Sequence, residues 1–210
     1  MNFWSVPREW PGETVFIIGG GPSVLGQDLE LLRGRRVIAI NSSVFALPWA
    51  DVLYFGDWRW WNEPENKAAV AGLDGRVVTT SSLVKDQKVL FCRKAFGPGL
   101  AAKPDTLYQR WTSLTAATNL AAHLIGPGGT IVWLGADGKH AANGRTHHHK
   151  QHPWPARPGC YDRQHEDLVT IIPSLQELGI AGYNASPGTA WTDLLPVVNL
   201  ENILSERRAA

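Results

Sequence analysis

Residues 14–23, TVFIIGGGPS, join an apolar run to three glycines, a proline and a serine. A buried strand that ends in such a turn presents backbone N–H groups with no side chain in the way, and a helix starting there adds its positive end. That chemistry suits an anion, a nucleotide phosphate above all. Gly19, Gly20, Gly21, Pro22 and Ser23 are the residues that would hold it, Ser23 as N-cap or direct contact. The turn is not one of the familiar phosphate loops. A dinucleotide fingerprint requires glycine at 24, where Val24 stands, and a Walker A loop requires Lys and Ser/Thr after Gly26, where Gln27 and Asp28 follow. A tight turn that needs φ > 0 is the plain alternative.

Three more polar residues stand where apolar runs stop: Asn41, Asp57 and Asp137. Ligands of open α/β sheets bind beyond the carboxyl ends of the strands. Asn41 there suits a base or ribose, and Asp57 or Asp137 a ribose hydroxyl, a metal ion or an acceptor. Asn and Asp also favour turns for purely local reasons. The segment Gln109-Arg110-Trp111-Thr112-Ser113 precedes an alanine-rich helical pattern. Thr112 or Ser113 can cap that helix, whose free N–H groups make a second anion seat, and Arg110 supplies a strong charge beside it. A pairing of Arg110 with a surface carboxylate is the alternative.

His147, His148, His149 and His152 crowd into six residues, with His140 before and His165 after. Three consecutive side chains in one loop do not converge easily on one ion, and no Cys/His pair completes a zinc spacing, so zinc is disfavoured. A histidine that titrates near neutral pH fits a general acid or base better. Lys150, Arg145 and Arg157 in the same stretch suit phosphate neutralisation. No GxSxG, HExxH or nucleophile with an evident base partner is present, so a hydrolase triad has no support.

The elements that must position these residues alternate strand-like and helix-like, the pattern of βαβ units and a mostly parallel sheet. Strands are expected at 14–18, 36–40, 51–55, 76–80, 88–91, 130–134 and 180–183. Helices are expected at 23–32, 58–71 with a start nearer Glu63 because of Pro64, 113–125, and 164–178 with a bend or break at Pro173. The tail suits a short helix. Residues 92–111 read as a loop or hairpin excursion, and 138–162, rich in His, Gly and Pro, as a mobile or active-site loop. The fold class is therefore α/β: one Rossmann-like domain over 1–210, with residues 1–12 as an N-terminal extension and no repeat or linker.

Twenty basic and 19 acidic side chains leave a formal charge of +1, which argues against a broad nucleic-acid surface. No apolar run reaches the roughly 18 residues of a membrane span, and the N-terminus has no signal-peptide core, which points to a cytoplasmic protein. Cys92 and Cys160 are distant and outside any CxxC spacing, as reduced thiols are. Ten tryptophans are many, three of them in Asp57-Trp58-Arg59-Trp60-Trp61; such rings stack on a ligand, fill a core or serve a homo-oligomer interface.

Taken together, GGGPS, Asn41 after the second strand, QRWTS before the helix, WLGADG after the next strand and the closing GIAGYNASPGTAW resemble a known superfamily. The chain is similar, over about 14–195, to the 6-hydroxymethylpterin diphosphokinase-like Rossmann proteins and the related bacterial sialyltransferases, and to small phage or prophage members of that organisation. The resemblance implies that Gly19–Ser23, Asn41 and Thr112–Ser113 contact a nucleotide, that Arg110 lies by the phosphate, and that a loop histidine, His149 or His165, acts as base. Tyr161 is the one counterpart of the tyrosines that assist the leaving phosphate. Leu114 stands where a glycine normally follows the Thr/Ser pair. The expectation is an enzyme: a nucleotide-dependent transferase, first a glycosyltransferase using a nucleotide-activated sugar. The alternatives are a diphosphokinase using ATP and Mg²⁺ held by Asp57 or Asp137, and a non-catalytic protein that sequesters a nucleotide.

Overall fold

The computed structural model describes residues 2–150 and 157–206. Seven strands form one sheet in the order β5-β4-β3-β2-β1-β8-β9: β1 (Thr14–Ile18), β2 (Arg36–Ile40), β3 (Val52–Phe55), β4 (Arg76–Thr79), β5 (Val89–Phe91), β8 (Thr130–Leu134) and β9 (Ala181–Asn184). Every pairing in it is parallel. Successive strands build outward from β1 to β5, after which the chain returns to β8 on the other flank of β1. The strand order therefore reverses between β1 and β8, and a crevice opens there at the carboxyl ends.

Both faces of the sheet are covered, which explains why its strands read as unbroken apolar runs rather than alternations. Val15 and Ile17 of β1 join one core with α3 (Ser113–Ile125), while Phe16 and Ile18 join the other with Leu200, Ile203 and Leu204. Helix α3 lies close to the sheet because Ala116, Ala117 and Ala121 have no exposure and no bulk. The N-terminal extension belongs to the core as well. Val6 and Trp10 are buried, and Trp4 N–H donates to Phe91 O at 2.7 Å.

Several element expectations are corrected. The helix expected at 23–32 is two 3-10 turns, Pro22–Gly26 and Leu29–Leu32, with Gln27 and Asp28 extended between them. Gly26 ends the first, the Asp28 side chain caps the second, and Leu25 lies 58% exposed, so no continuous apolar face holds an α-helix. Residues 58–71 split into α1 (Trp58–Asn62) and α2 (Pro64–Ala71), since Pro64 has no N–H to continue the first.

The segment 92–111 is neither loop nor hairpin. Strands β6 (Arg93–Ala95) and β7 (Thr106–Tyr108) pair in parallel as a separate small sheet. The helix expected at 164–178 begins earlier and is broken: α4 (Cys160–Val169) and α5 (Ile171–Glu177) meet at Thr170. The ring of Pro173 conflicts with the carbonyl four residues back, Val169, which places the break upstream of the proline. The tail forms α6 (Leu200–Glu206). Among the described residues, no helix is long and apolar enough to cross a membrane.

Candidate functional site

A crevice of about 580 Å³ opens above the carboxyl ends of β1, β2, β3 and β8, with the α3 N-terminus on one side and the histidine loop on the other. Of the residues expected at a site, it gathers Gly19, Gly20, Gly21, Asn41, Asp57, Arg110, Thr112, Ser113, Asp137 and His149. Pro22, Ser23 and His165 do not line it. His165 projects from α4 and pairs with Asp193 through Nε2 at 2.8 Å, and His152 lies outside the described residues.

The glycine turn receives its anion from the chain itself. Ser23 N–H and Ser23 Oγ–H donate to the two carboxylate oxygens of Asp137 at 2.8 and 2.5 Å. Gly19 N–H and Gly21 N–H donate to the carbonyls of Leu134 and Gly135 at 2.7 and 3.0 Å. No α-helix follows, so the expected helix end beside a phosphate is absent. The glycines answer to packing at the reversal point. A Cβ on Gly21 would lie 2.5 Å from Gly135 O, and one on Gly20 would lie 2.9 Å from His147 Cδ2. Burial raises the Asp137 carboxyl above its ordinary range, and the Ser23 bonds and nearby Lys139 only partly offset it.

Asn41 is different. Its φ of +50° makes it the only non-glycine residue with a positive φ among those described, one step beyond β2. Its Oδ1 is buried and has no hydrogen-bond partner among the described residues. Asparagine adopts a positive φ more readily than most residues, so the backbone cost is modest, and it is the buried unpaired oxygen that calls for a partner.

Asp57 caps α1 by accepting from Arg59 N–H at 2.9 Å, and it also pairs with the Arg59 guanidinium. The two carboxylates expected to hold Mg²⁺ in the kinase alternative thus already serve Arg59 and Ser23. Among the described residues, no group of three or more His, Cys, Asp or Glu side chains is placed to hold a metal ion.

Among the described residues, four exposed cations line the crevice, Arg59, Lys94, Arg110 and Lys139; of these Arg110 lies over the Trp111 ring at 5.4 Å and Lys94 over Phe96 at 5.5 Å. Thr112 caps α3 by accepting from Leu114 N–H at 3.2 Å. Beside them, buried Gln109 bridges the α3 mouth to the ends of β3 and β4. Its Oε1 accepts from Tyr54 Oη–H at 2.7 Å and Thr80 Oγ1–H at 2.8 Å, and its Nε2 faces Ser113 Oγ at 3.4 Å.

The histidine loop is docked by its middle member. His148 is buried, donates its backbone N–H to Gly20 O at 2.9 Å, and meets Ser43 Oγ through Nε2 at 3.0 Å. Ser43 spends its only proton on Gly19 O, so His148 Nε2 must be the donor. Burial, with His149, His147 and Arg145 nearby, depresses the His148 pKa to about 4. His149 donates Nδ1–H to Lys150 O at 2.8 Å, which in the neutral ring leaves the lone pair on Nε2. Tyr161 also lines the crevice, and burial pushes its phenol up to about 12.

Lys94, Gln164 and Trp191 line the crevice as well and carried no signal in the sequence, because only the chain's path through β6, α4 and the segment after β9 brings them there. Gln109 was legible as the start of QRWTS but not as a crevice residue.

No protein-family model matches the chain, and no curated protein matches it. A solved structure described as a dehydrogenase/reductase from Sinorhizobium meliloti 1021 is similar at 16% identity and a TM-score of 0.31, covering 97% of this chain and 82% of that one. Nothing among these findings is a pterin diphosphokinase, a sialyltransferase or a phage protein. The family resemblance drawn from GGGPS, QRWTS and WLGADG is corrected accordingly: none of these findings supports it.

Proposed function

We propose that the crevice binds a phosphorylated nucleoside and that the protein transfers a group from it to an acceptor. The observation that carries this reading is Asn41, held at φ +50° beyond the carboxyl end of β2, one strand from the reversal, with a buried Oδ1 that has no partner among the described residues. A base N–H or a ribose hydroxyl supplies the missing donor when the Asn41 amide turns its oxygen toward the crevice that the residue lines. The phosphate goes to the α3 mouth, where Arg110 and Lys94 provide charge and the helix end provides partial charge. It does not go to the glycine turn, which Asp137 occupies. The residues fit a mononucleotide better than a dinucleotide, whose pyrophosphate needs a helix after β1.

In the transfer, the acceptor hydroxyl gives its proton to His149 Nε2 and its oxygen bonds to the transferred group. The bond from that group to the phosphate oxygen breaks with its electron pair on the phosphate, next to Arg110. A nucleotide-activated sugar is the donor class that this arrangement suits.

The test is a thermal-shift panel of nucleosides with their mono- and diphosphates, with and without Mg²⁺. Ligand at 100 times Kd stabilises by about 2.7 kcal/mol. The expected result is a raised Tm with mono- or diphosphates and little with bare nucleosides. No shift with any of them at millimolar concentration overturns the reading. Binding without turnover of any donor leaves a sequestering protein in its place.

A further inference from the structure

Gln109 is a buried polar side chain of the crevice that no part of the transfer chemistry above uses. It is 8% exposed. Two hydroxyls, from Tyr54 in β3 and from Thr80 just past the end of β4, lie 2.7 and 2.8 Å from Oε1 and 2.9 Å from each other, so the three oxygens form one hydrogen-bonded cluster. With Oε1 so engaged, the amide turns its Nε2 hydrogens the other way, toward Ser113 and the α3 mouth. Ser113 Oγ at 3.4 Å is a long contact and takes at most one of them. Gly56 completes the arrangement, because a Cβ there would lie 2.4 Å from Nε2 and would dislodge the amide.

The geometry points to Gln109 as a phosphate-binding residue, a neutral donor whose N–H is aimed at an anion seated between Arg110, Ser113 and Gly56. Tyr54 and Thr80 are its positioning residues. This rests on the reading of the crevice as a nucleotide site and assigns it a specificity. Arg110 and Lys94 attract any anion through long, exposed side chains, whereas a fixed amide donor selects one that places an oxygen at a fixed point. A donor held in place before the ligand arrives needs no reorganisation as negative charge grows on a leaving phosphate. The ligand class is a phosphate ester or pyrophosphate rather than a carboxylate, because a tetrahedral group offers oxygens to the cations and to Gln109 at once.

The experiment titrates inorganic pyrophosphate and acetate into the wild-type protein and the variants Gln109→Met, Gln109→Glu and Gly56→Ala, following heat or intrinsic tryptophan fluorescence. Wild type is expected to bind pyrophosphate and not acetate. Gln109→Met, which removes the donor without adding charge, should weaken pyrophosphate about tenfold, as loss of one hydrogen bond to a charged group does. Gln109→Glu keeps the oxygen that Tyr54 and Thr80 bond but presents an acceptor to the anion, and should abolish binding. Gly56→Ala should reproduce the Gln109→Met loss. Melting of each unliganded variant establishes that it is folded, and Gly56→Ala carries the test if the Gln109 variants are not.

Pyrophosphate binding unchanged in the variants, or absent from wild type, overturns the assignment. Nucleotides that stabilise wild type while the variants keep full pyrophosphate affinity overturn Gln109 alone. Pyrophosphate binding that depends on Gln109, with no nucleotide response, overturns the nucleoside and leaves the seat.

Discussion

At the scale of single residues, the crevice separates polar groups that fold the protein from one that folding leaves unpaid. Asp137 caps a turn, Asp57 caps α1, and His148 ties the loop to Ser43; each has its partners inside the chain. Asn41 has a positive φ and an unpartnered oxygen, which folding alone does not reward. Two effects of opposite sign are expected from Asn41→Gly. Glycine adopts φ +50° without steric cost, so the unliganded protein should gain on the order of 0.5–1 kcal/mol. Nucleotide affinity should fall about tenfold with the lost acceptor. Paired melting and binding curves check this, and a variant that is both less stable and equally avid would contradict it.

At the scale of elements, α3 shows how composition becomes position. Its alanines promise close packing, and Ala116, Ala117 and Ala121 indeed have no exposure against the sheet. That closeness sets where the Thr112 end and Gln109 stand relative to β3. Ala117→Leu should therefore destabilise by roughly 1–3 kcal/mol through overpacking. Chemical denaturation measures it, and a loss under about 0.3 kcal/mol would show that the helix has room to spare. The first crossover teaches the converse. Residues 23–32 carry leucines at plausible spacing, yet Gly26 and Asp28 cut the run into two 3-10 turns, and the outcome hung on whether a partner surface covered Leu25.

At the scale of the whole molecule, His148 links the histidine loop to global stability. Its ring is buried and neutral, with a pKa near 4 against the ordinary 6.5. The unfolded chain takes up a proton as pH falls through 6.5, while the folded chain does so only near 4. Stability is therefore full above about pH 6.5 and declines as pH drops toward 4, by up to roughly 3 kcal/mol. Melting temperature should fall across that window in wild type, and His148→Gln should flatten the slope. An identical slope in the variant would place the titration elsewhere. The same docking holds His149 and His147 over Gly20, so nucleotide affinity should weaken in parallel.

The parallel sheet was legible in residues 14–18, 36–40 and 130–134 because strands buried on both faces are written as unbroken apolar runs, and backbone pairing needs no further instruction. The polar residues that end those runs, Asn41 and Asp137, were legible for the same reason. What the sequence left open was which polar groups satisfy one another. That Asp137 fills the glycine turn, 114 positions from Ser23, and that Tyr54 and Thr80 aim Gln109 are facts of long-range proximity. Local spacing encodes elements, whereas the direction of a hydrogen bond is set only when distant elements meet.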